Sequence, residues 1–353
     1  MSATNDPSLS QRKLDHLTLC ATAEVEAREK STLLDDLTLL HNSLPELEHS
    51  AIDLSCAYAG KRLSAPLLIT GMTGGAERAR DINRRLAATA ERFGIGFGVG
   101  SQRAMLRDPA SLSTYAVRDV APTTLLLGNI GAVQAAASST AELQDLVGAI
   151  DADALCIHLN PAQEIIQDDG DRDFRGCLDA IARLNAELGR PVIVKETGCG
   201  MSPQLIARLK TAGVTRIDVS GAGGTTWVGV EAHRASPHRR LLGEALWDWG
   251  IPTAASVHFG ARAGMEVIAS GGIRSGYDVA RALALGATLG GAALPFLKSV
   301  WEQPEGGATE VVEEMLDLLR AVMLLTGSKD LEALRKVPRV VGPRLAQWMS
   351  LPG

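Results

Sequence analysis

Seven consecutive residues, His158-Leu159-Asn160-Pro161-Ala162-Gln163-Glu164, bring together an imidazole, two carboxamides and a carboxylate. Such a set can orient a polar substrate and relay a proton. Glu164 can also hold a hard cation such as Mg2+, which usually takes one or two carboxylates together with substrate phosphates. A second loaded stretch is Lys195-Glu196-Thr197-Gly198. Two more, Gly271-Gly272-Ile273-Arg274-Ser275-Gly276 and Gly290-Gly291-Ala292-Ala293, are rich in small residues that let backbone N–H groups approach an anion closely. Each has a plainer reading when taken alone: a satisfied core histidine, a rim lysine, a solvated carboxylate, tight turns. The charge run 167–172, with Asp168 and Asp169, reads as a surface loop. Whether these stretches meet depends on the elements that carry them.

Short, mostly apolar runs recur at 67–70, 96–100, 124–128, 154–159, 192–196, 216–220, 267–270 and 288–292, each leading into Gly, Ser, Asn or Thr. Continuous apolar runs suit parallel strands covered on both faces. Helix signals lie between them. Ser202-Pro203 supplies a cap and a first-turn proline before Leu205, Ile206 and Leu209, with Gly213 to close. Ala180, Ile181, Leu184 and Leu188 form an apolar stripe that stops at Gly189. Eight such units predict an α/β protein, a (β/α)8 TIM-type barrel over 61–353 with amphipathic C-terminal helices near 311–319 and 331–334. Residues 1–60 read as a polar extension packed on it. A doubly wound open sheet is the competing fold, but no G-x-G-x-x-G follows the first strand.

In a barrel every loaded stretch falls at a strand's carboxyl end, where such folds place their sites. The two glycine motifs follow the seventh and eighth strands, the usual phosphate position. Alternation puts Ala154, Cys156 and His158 on one face of the fourth strand, and Ile193, Lys195 and Thr197 on one face of the fifth. His158 and Lys195 then point into the mouth. An inward lysine needs an anion or an electron-rich ring to offset its desolvation.

Composition narrows the class. With 35 Lys+Arg against 41 Asp+Glu the net charge is −6, and aromatics are only 4%, so neither the basic footprint nor the stacking platform of a nucleic-acid binder is present. No run reaches the roughly 18 apolar residues of a membrane helix. Residues 1–12 are polar and lack the apolar centre of a secretory signal. Five scattered cysteines, none in C-x-x-C, make neither a disulfide framework nor a thiolate metal site. A reduced, cytoplasmic protein is expected.

With Arg12-Lys13-x-x-His16, Thr70-Gly71-Met72-Thr73-Gly74-Gly75, Ser101-Gln102-Arg103 and the stretches from His158 and Lys195, the chain resembles the type 2 isopentenyl-diphosphate delta-isomerases. Those are FMN-dependent enzymes of isoprenoid biosynthesis that interconvert isopentenyl and dimethylallyl diphosphate. The match runs from Arg12 to about Leu297. It implies FMN held by Thr70, Met72, Thr73, Gly74, Ser101, Asn129, Lys195, Ser220 and Thr225, with its phosphate at Gly271, Gly272, Arg274, Ala292 and Ala293. It implies substrate contacts from Arg12, Lys13, Ser101, Gln102, Arg103 and Gln163, and Mg2+ on Glu164. It also implies a flavoprotein that works reduced, with NADPH or another reductant supplying electrons that are not consumed, and assembly as a homo-tetramer or homo-octamer. Arg12 and Lys13 lie outside the strands, so they must fold over the mouth as a lid, of their own or a neighbouring subunit. Cys199 is given no role.

An allylic shift moves a proton off one carbon and onto another with no net redox, on a greasy five-carbon skeleton in a water-poor pocket. Reduced flavin beside Lys195 is read as the proton-transferring group, with His158, Asn160 and Gln163 positioning substrate or relaying protons. The residues leave flavin, Gln163 and His158 open as the final acid. The alternative is an FMN-dependent 2-hydroxy-acid oxidoreductase, which wants a histidine–arginine pair after the sixth strand; here 220–227 holds neither, and the first histidine is His233. A nucleophilic cysteine, as an inosine-monophosphate-dehydrogenase-like enzyme needs, is also missing from that loop. A non-catalytic flavin- or phosphate-binding barrel would have no use for the clustered His, Lys, Gln and Glu. The basic stretch 229–240 reads as a mobile flap or a solvated loop.

Overall fold

The computed structural model describes residues 7–352; residues 1–6, half of the polar leader, and residue 353 lie outside the described residues. Eight parallel strands close into a barrel: β1 Leu67–Ile69, β2 Gly96–Gly98, β3 Leu126–Gly131, β4 Ala154–Leu159, β5 Val192–Glu196, β6 Arg216–Asp218, β7 Glu266–Ala269 and β8 Leu289–Ala292. All eight expected runs are there. β3 extends further than expected, because Asn129, Ile130 and Gly131 pair with Cys156, Ile157 and His158 of β4. Asn129 is therefore held in a strand and not in a loop.

Period-two alternation sorts the strand side chains into two cores. Leu67, Ile69, Phe97, Leu126, Leu155, Ile157, Val192, Val194 and Ile217 pack outward against the helices. Leu68, Leu127, Ala154, Cys156, Ile193, Ile268 and Leu289 fill the lumen. The helices form where their caps lie. Ser202 Oγ accepts from the Leu205 N–H at 3.2 Å to start Pro203–Thr211, and Gly213 takes a left-handed φ of +81° just past its end. Ala180, Ile181, Leu184 and Leu188 are all buried.

The first sixty residues are less separable than their polar look suggests. Leu17, Cys20, Val25, Leu34, Leu37, Ile52 and Leu54 are buried in the same core as the barrel helices. Strand Leu37–Leu39 pairs antiparallel with Arg339–Val341, joining the extension to the C-terminal tail. A hairpin of Cys56–Tyr58 and Lys61–Leu63 turns at Ala59 and Gly60, both with positive φ, and closes the bottom of the barrel. The boundary at residue 60 thus runs through a continuous element. In the tail, helix Gly307–Leu325 buries Val312, Met315 and Leu319 against helix Gly276–Ala284.

The stretch 229–240 is neither flap nor open loop. It forms parts of helices Trp227–Ala232 and Pro237–Ala245. Val228 and Ala232 pack with Ile166 and Trp247. Two of its arginines bond carbonyls, Arg240 those of Ala232 and His233 and Arg239 that of Ile165, while Arg234 pairs with Asp15 and Glu231.

Tyr58 fills the lumen floor at 1% exposure, and its hydroxyl has no hydrogen-bond partner among the described residues. An unmet buried hydroxyl contributes nothing, whereas the ring fills space. Tyr58→Phe is therefore expected to match or exceed wild-type stability, and Tyr58→Ala to lose about 3–5 kcal/mol, as read from urea unfolding midpoints.

Candidate active site

A cavity opens at the carboxyl ends of the strands, with about 1460 Å3 of empty space, its open mouth included. Around its wall stand Thr70, Met72 and Thr73 after β1, Ser101 and Arg103 after β2, and Asn129 of β3. His158, Asn160, Gln163 and Glu164 follow, from β4 and helix Pro161–Ile166, then Lys195 of β5. Ser220 and Thr225 after β6, Gly271, Gly272 and Arg274 after β7, and Ala292 and Ala293 at β8 complete the ring. Arg12 and Lys13 reach the cavity from helix Pro7–Thr22 of the same chain.

Two expected contacts are not on this wall. Gln102 is fully buried: its Oε1 accepts from the Asn129 N–H at 2.9 Å and its Nε2 donates to the Leu146 carbonyl at 3.2 Å. Its side chain braces β3 and does not line the cavity. Gly74 backs onto the Tyr115 ring so closely that no Cβ would fit. Motif position alone does not separate residues that face a ligand from those that shape the loop beside it.

One end of the cavity is built from backbone. Gly271 and Gly272 have φ of +92° and +75°, and a Cβ on Gly224 would strike the Gly272 backbone. The loops after β6 and β7 touch main chain to main chain. Helix Leu294–Glu302 begins opposite them at Ala293, where its free N–H groups favour an anion. Arg274 adds a charge, its Nε 3.0 Å from Glu26 Oε1. This cradle fits the phosphate of a flavin nucleotide.

Next to the cradle, Lys195 Nζ donates to the Glu196 carbonyl at 2.8 Å and pairs with Asp218 at 3.3 Å. Asp218 escaped the sequence reading, although alternation along β6 puts Arg216, Asp218 and Ser220 on the inner face. His158 Nδ1 lies 2.8 Å from Asn129 Oδ1, while Asn129 Nδ2 donates to the Val99 carbonyl at 3.2 Å. Nδ1 is thus the donor, and Nε2 is left as an acceptor. Burial, aided by Lys13, Lys195 and Arg103, pushes the His158 pKa down to about 3, so the ring is neutral.

The opposite wall is a polar network around a residue the sequence did not flag. Glu231, 1% exposed in helix Trp227–Ala232, accepts at Oε1 from Gln163 Nε2 (2.8 Å) and Gln167 Nε2 (2.8 Å), with His16 Nε2 at 2.9 Å. Its Oε2 lies 3.1 Å from Arg234. Burial pushes this carboxyl up, but the close approach of His16, the bond from Gln163 and the Arg234 charge outweigh it and hold the group ionised. Burial keeps His16 neutral. Asn160 Nδ2 donates to Glu164 Oε1 at 2.7 Å and to Gln163 Oε1 at 3.3 Å, and the Asp171 N–H reaches Glu164 Oε2 at 2.8 Å. The 167–172 run is only partly the surface loop expected. Asp168 and Asp169 are exposed, but Gln167 is buried and also accepts from Arg12, and Asp171 faces Arg103 at 3.6 Å.

Glu164 is the only carboxylate lining the cavity among the described residues. No group of three His, Cys, Asp or Glu side chains there could enclose a metal. Leu17, Trp227, Leu294 and Leu297 give the cavity its apolar side.

The family model for FMN-dependent dehydrogenases matches residues 158–339. An isopentenyl-diphosphate delta-isomerase of Synechococcus sp. is 50% identical over 342 residues, covering 96% of this chain and 98% of that protein. Its counterpart in Methanosarcina barkeri is 47% identical over 340 residues, covering 94% and 92%. The chain belongs to the isopentenyl-diphosphate delta-isomerase family. Among solved structures, a mandelate oxidase variant with a monooxide FMN adduct has a TM-score of 0.65 at 17% identity, covering 92% of this chain and 95% of that one. That likeness is one of fold. In this delta-isomerase relative the first histidine after β6, His233, is exposed and set edge-on to Trp247, away from the cavity wall.

His158 ties the site to stability. Its folded pKa lies below the unfolded value of 6.5, so between pH 6.5 and about 3 the unfolded chain binds a proton that the folded one refuses. This contribution therefore falls as pH drops through that window. Relative to His158→Asn, the wild type is expected to lose about 1.4 kcal/mol per pH unit below 6.5, measurable by urea unfolding from pH 7 to 4.5.

Proposed function

We propose that the protein interconverts isopentenyl and dimethylallyl diphosphate as a type 2, FMN-dependent isomerase. One observation carries the reading. A single cavity has a backbone phosphate cradle with Lys195 on one side and Arg12, Lys13 and Arg103 around the lone carboxylate Glu164 on the other. Leu17, Trp227, Leu294 and Leu297 add apolar lining to the same cavity. A nucleotide and a diphosphate ester can face each other there across a five-carbon chain.

FMN, bound reduced, supplies an acid–base group on its ring; NADPH or another reductant keeps it reduced. The chain's own residues do the rest. Gly271, Gly272, Arg274, Ala292 and Ala293 hold the nucleotide phosphate, and Lys195 fixes the ring. Arg12, Lys13 and Arg103 take the substrate diphosphate. Burial and the nearby Arg12 bring the Lys13 pKa down to about 8, opposed by Glu231, so it remains mostly charged at neutral pH. Glu164 offers one carboxylate to Mg2+ arriving with the diphosphate, in keeping with a cation that shares its shell between protein and phosphate oxygens. Gln163, held by Glu231 and Asn160, presents its amide to the alkene end, and neutral His158 offers Nε2 as an acceptor. Closing helix Pro7–Thr22 over the mouth excludes water from the proton shift.

No helix among the described residues is long and apolar enough to cross a membrane, which suits the cytoplasmic setting we propose. Exposed Leu44, Leu241 and Trp249 offer faces for the homo-tetramer or homo-octamer that the reading includes. The 2-hydroxy-acid oxidase alternative lacks the histidine–arginine pair it needs after β6, where 220–227 holds neither.

The decisive assay is anaerobic. With reduced FMN, Mg2+ and isopentenyl diphosphate, dimethylallyl diphosphate should accumulate to equilibrium while the flavin stays reduced, and omission of FMN should abolish it. Net oxidation of a 2-hydroxy acid, with no isomerisation, would replace this reading with the oxidase.

A further inference from the structure

The Lys195–Asp218 pair does more than fill the lumen. Register sets the two residues side by side on neighbouring strands, Lys195 opposite Asp218, both on the inner face. Asp218 is 1% exposed. One of its oxygens lies 3.3 Å from Lys195 Nζ; the other accepts from the Ser270 hydroxyl and from the Ser220 N–H at 3.3 Å. Lys195 Nζ also donates to the Glu196 carbonyl. With one N–H donated to the Glu196 carbonyl and the ammonium paired with Asp218, Lys195 keeps donor capacity for the cavity it lines. Asp218 itself does not line that cavity, so its influence on a ligand passes through Lys195.

A bare lysine at this place would present a full positive charge in a poorly solvated site, where charge acts strongly. It would draw electron density from a reduced ring and weaken the ring as a proton acceptor. A lysine paired with a buried carboxylate presents a dipole, with its ammonium end toward the ring. That suits a flavin working as acid and base better than one passing electrons.

We propose that Asp218 is a positioning residue that fixes Lys195 Nζ and sets the net charge it presents to the flavin ring. This rests on the FMN reading given above. With the carboxylate in place, the site favours anionic reduced flavin over oxidised flavin less than a bare lysine would.

The test is the ratio of affinities for reduced and oxidised FMN, measured anaerobically in wild type and Asp218→Asn. The ratio should rise about tenfold in the variant, equivalent to about 30 mV for a two-electron couple, and the bound reduced flavin should lose its N1 proton at a lower pH. Asp218→Glu should restore the wild-type ratio to within threefold. An unchanged or lower ratio in Asp218→Asn overturns the inference. Removing one partner of a buried pair can prevent folding, so the double variant Lys195→Gln/Asp218→Asn is a second arm. If the pair presents little net charge, the double variant should stay within threefold of wild type; a tenfold fall means that Lys195 acts as a full charge and overturns the inference too. Wild-type protein that binds no FMN would end the flavin reading itself, a result distinct from either.

Discussion

One buried carboxylate joins the parts of the mouth. Glu231 receives Gln163 and Gln167 from the segment after β4 and Arg234 from its own turn, and His16 of the N-terminal helix stands 2.9 Å from it. Burying a charge is tolerable only when hydrogen bonds and opposite charges replace its water. The partners of Glu231 reach further: Gln167 also accepts from Arg12, and Arg234 also pairs with Asp15, so the network around Glu231 ties the helix that bears Arg12 and Lys13 to the segment that bears Glu164. A barrel lacking this network would keep its eight strands and the packing of Leu17 and Cys20, but the polar face of that helix would lose its anchor.

The two ends of the cavity are made by different means. The phosphate cradle is backbone, formed where glycines let loops meet main chain to main chain and where a helix begins. Its specificity is for an anion, and many unrelated barrels share it. The opposite wall is side chain, built on the polar network around Glu231. A neutral imidazole, two amides and an isolated carboxylate suit proton movement and a metal-bound diphosphate.

Much of this was legible in the sequence because it is periodic or confined to one strand end. The eight apolar runs, the Ser202 cap, the inward His158 and Lys195 and the glycines after β7 and β8 all follow from spacing of two or from small residues at turns. What escaped was set by partners distant in sequence. Glu231 sits in a basic stretch, and only folding brings it to Gln163. Asp218 needed the same alternation test that found Lys195. Gln102 sits in a motif whose side chain turns into the wall to brace β3, and nothing local encodes that turn. The extension looked polar because its buried leucines are spread among charges, and its partners, helices and residues 339–341, come hundreds of residues later.

The central claim is that one cavity holds a flavin nucleotide and a diphosphate ester face to face. The most direct measurement is a crystal structure of the protein with reduced FMN, Mg2+ and isopentenyl diphosphate. The account predicts the flavin phosphate at Gly272 and Ala293, the ring beside Lys195, and the diphosphate within hydrogen-bonding reach of Arg12 and Lys13 with Mg2+ at Glu164. Diphosphate bound outside this mouth, or a flavin ring turned away from Lys195, would contradict it.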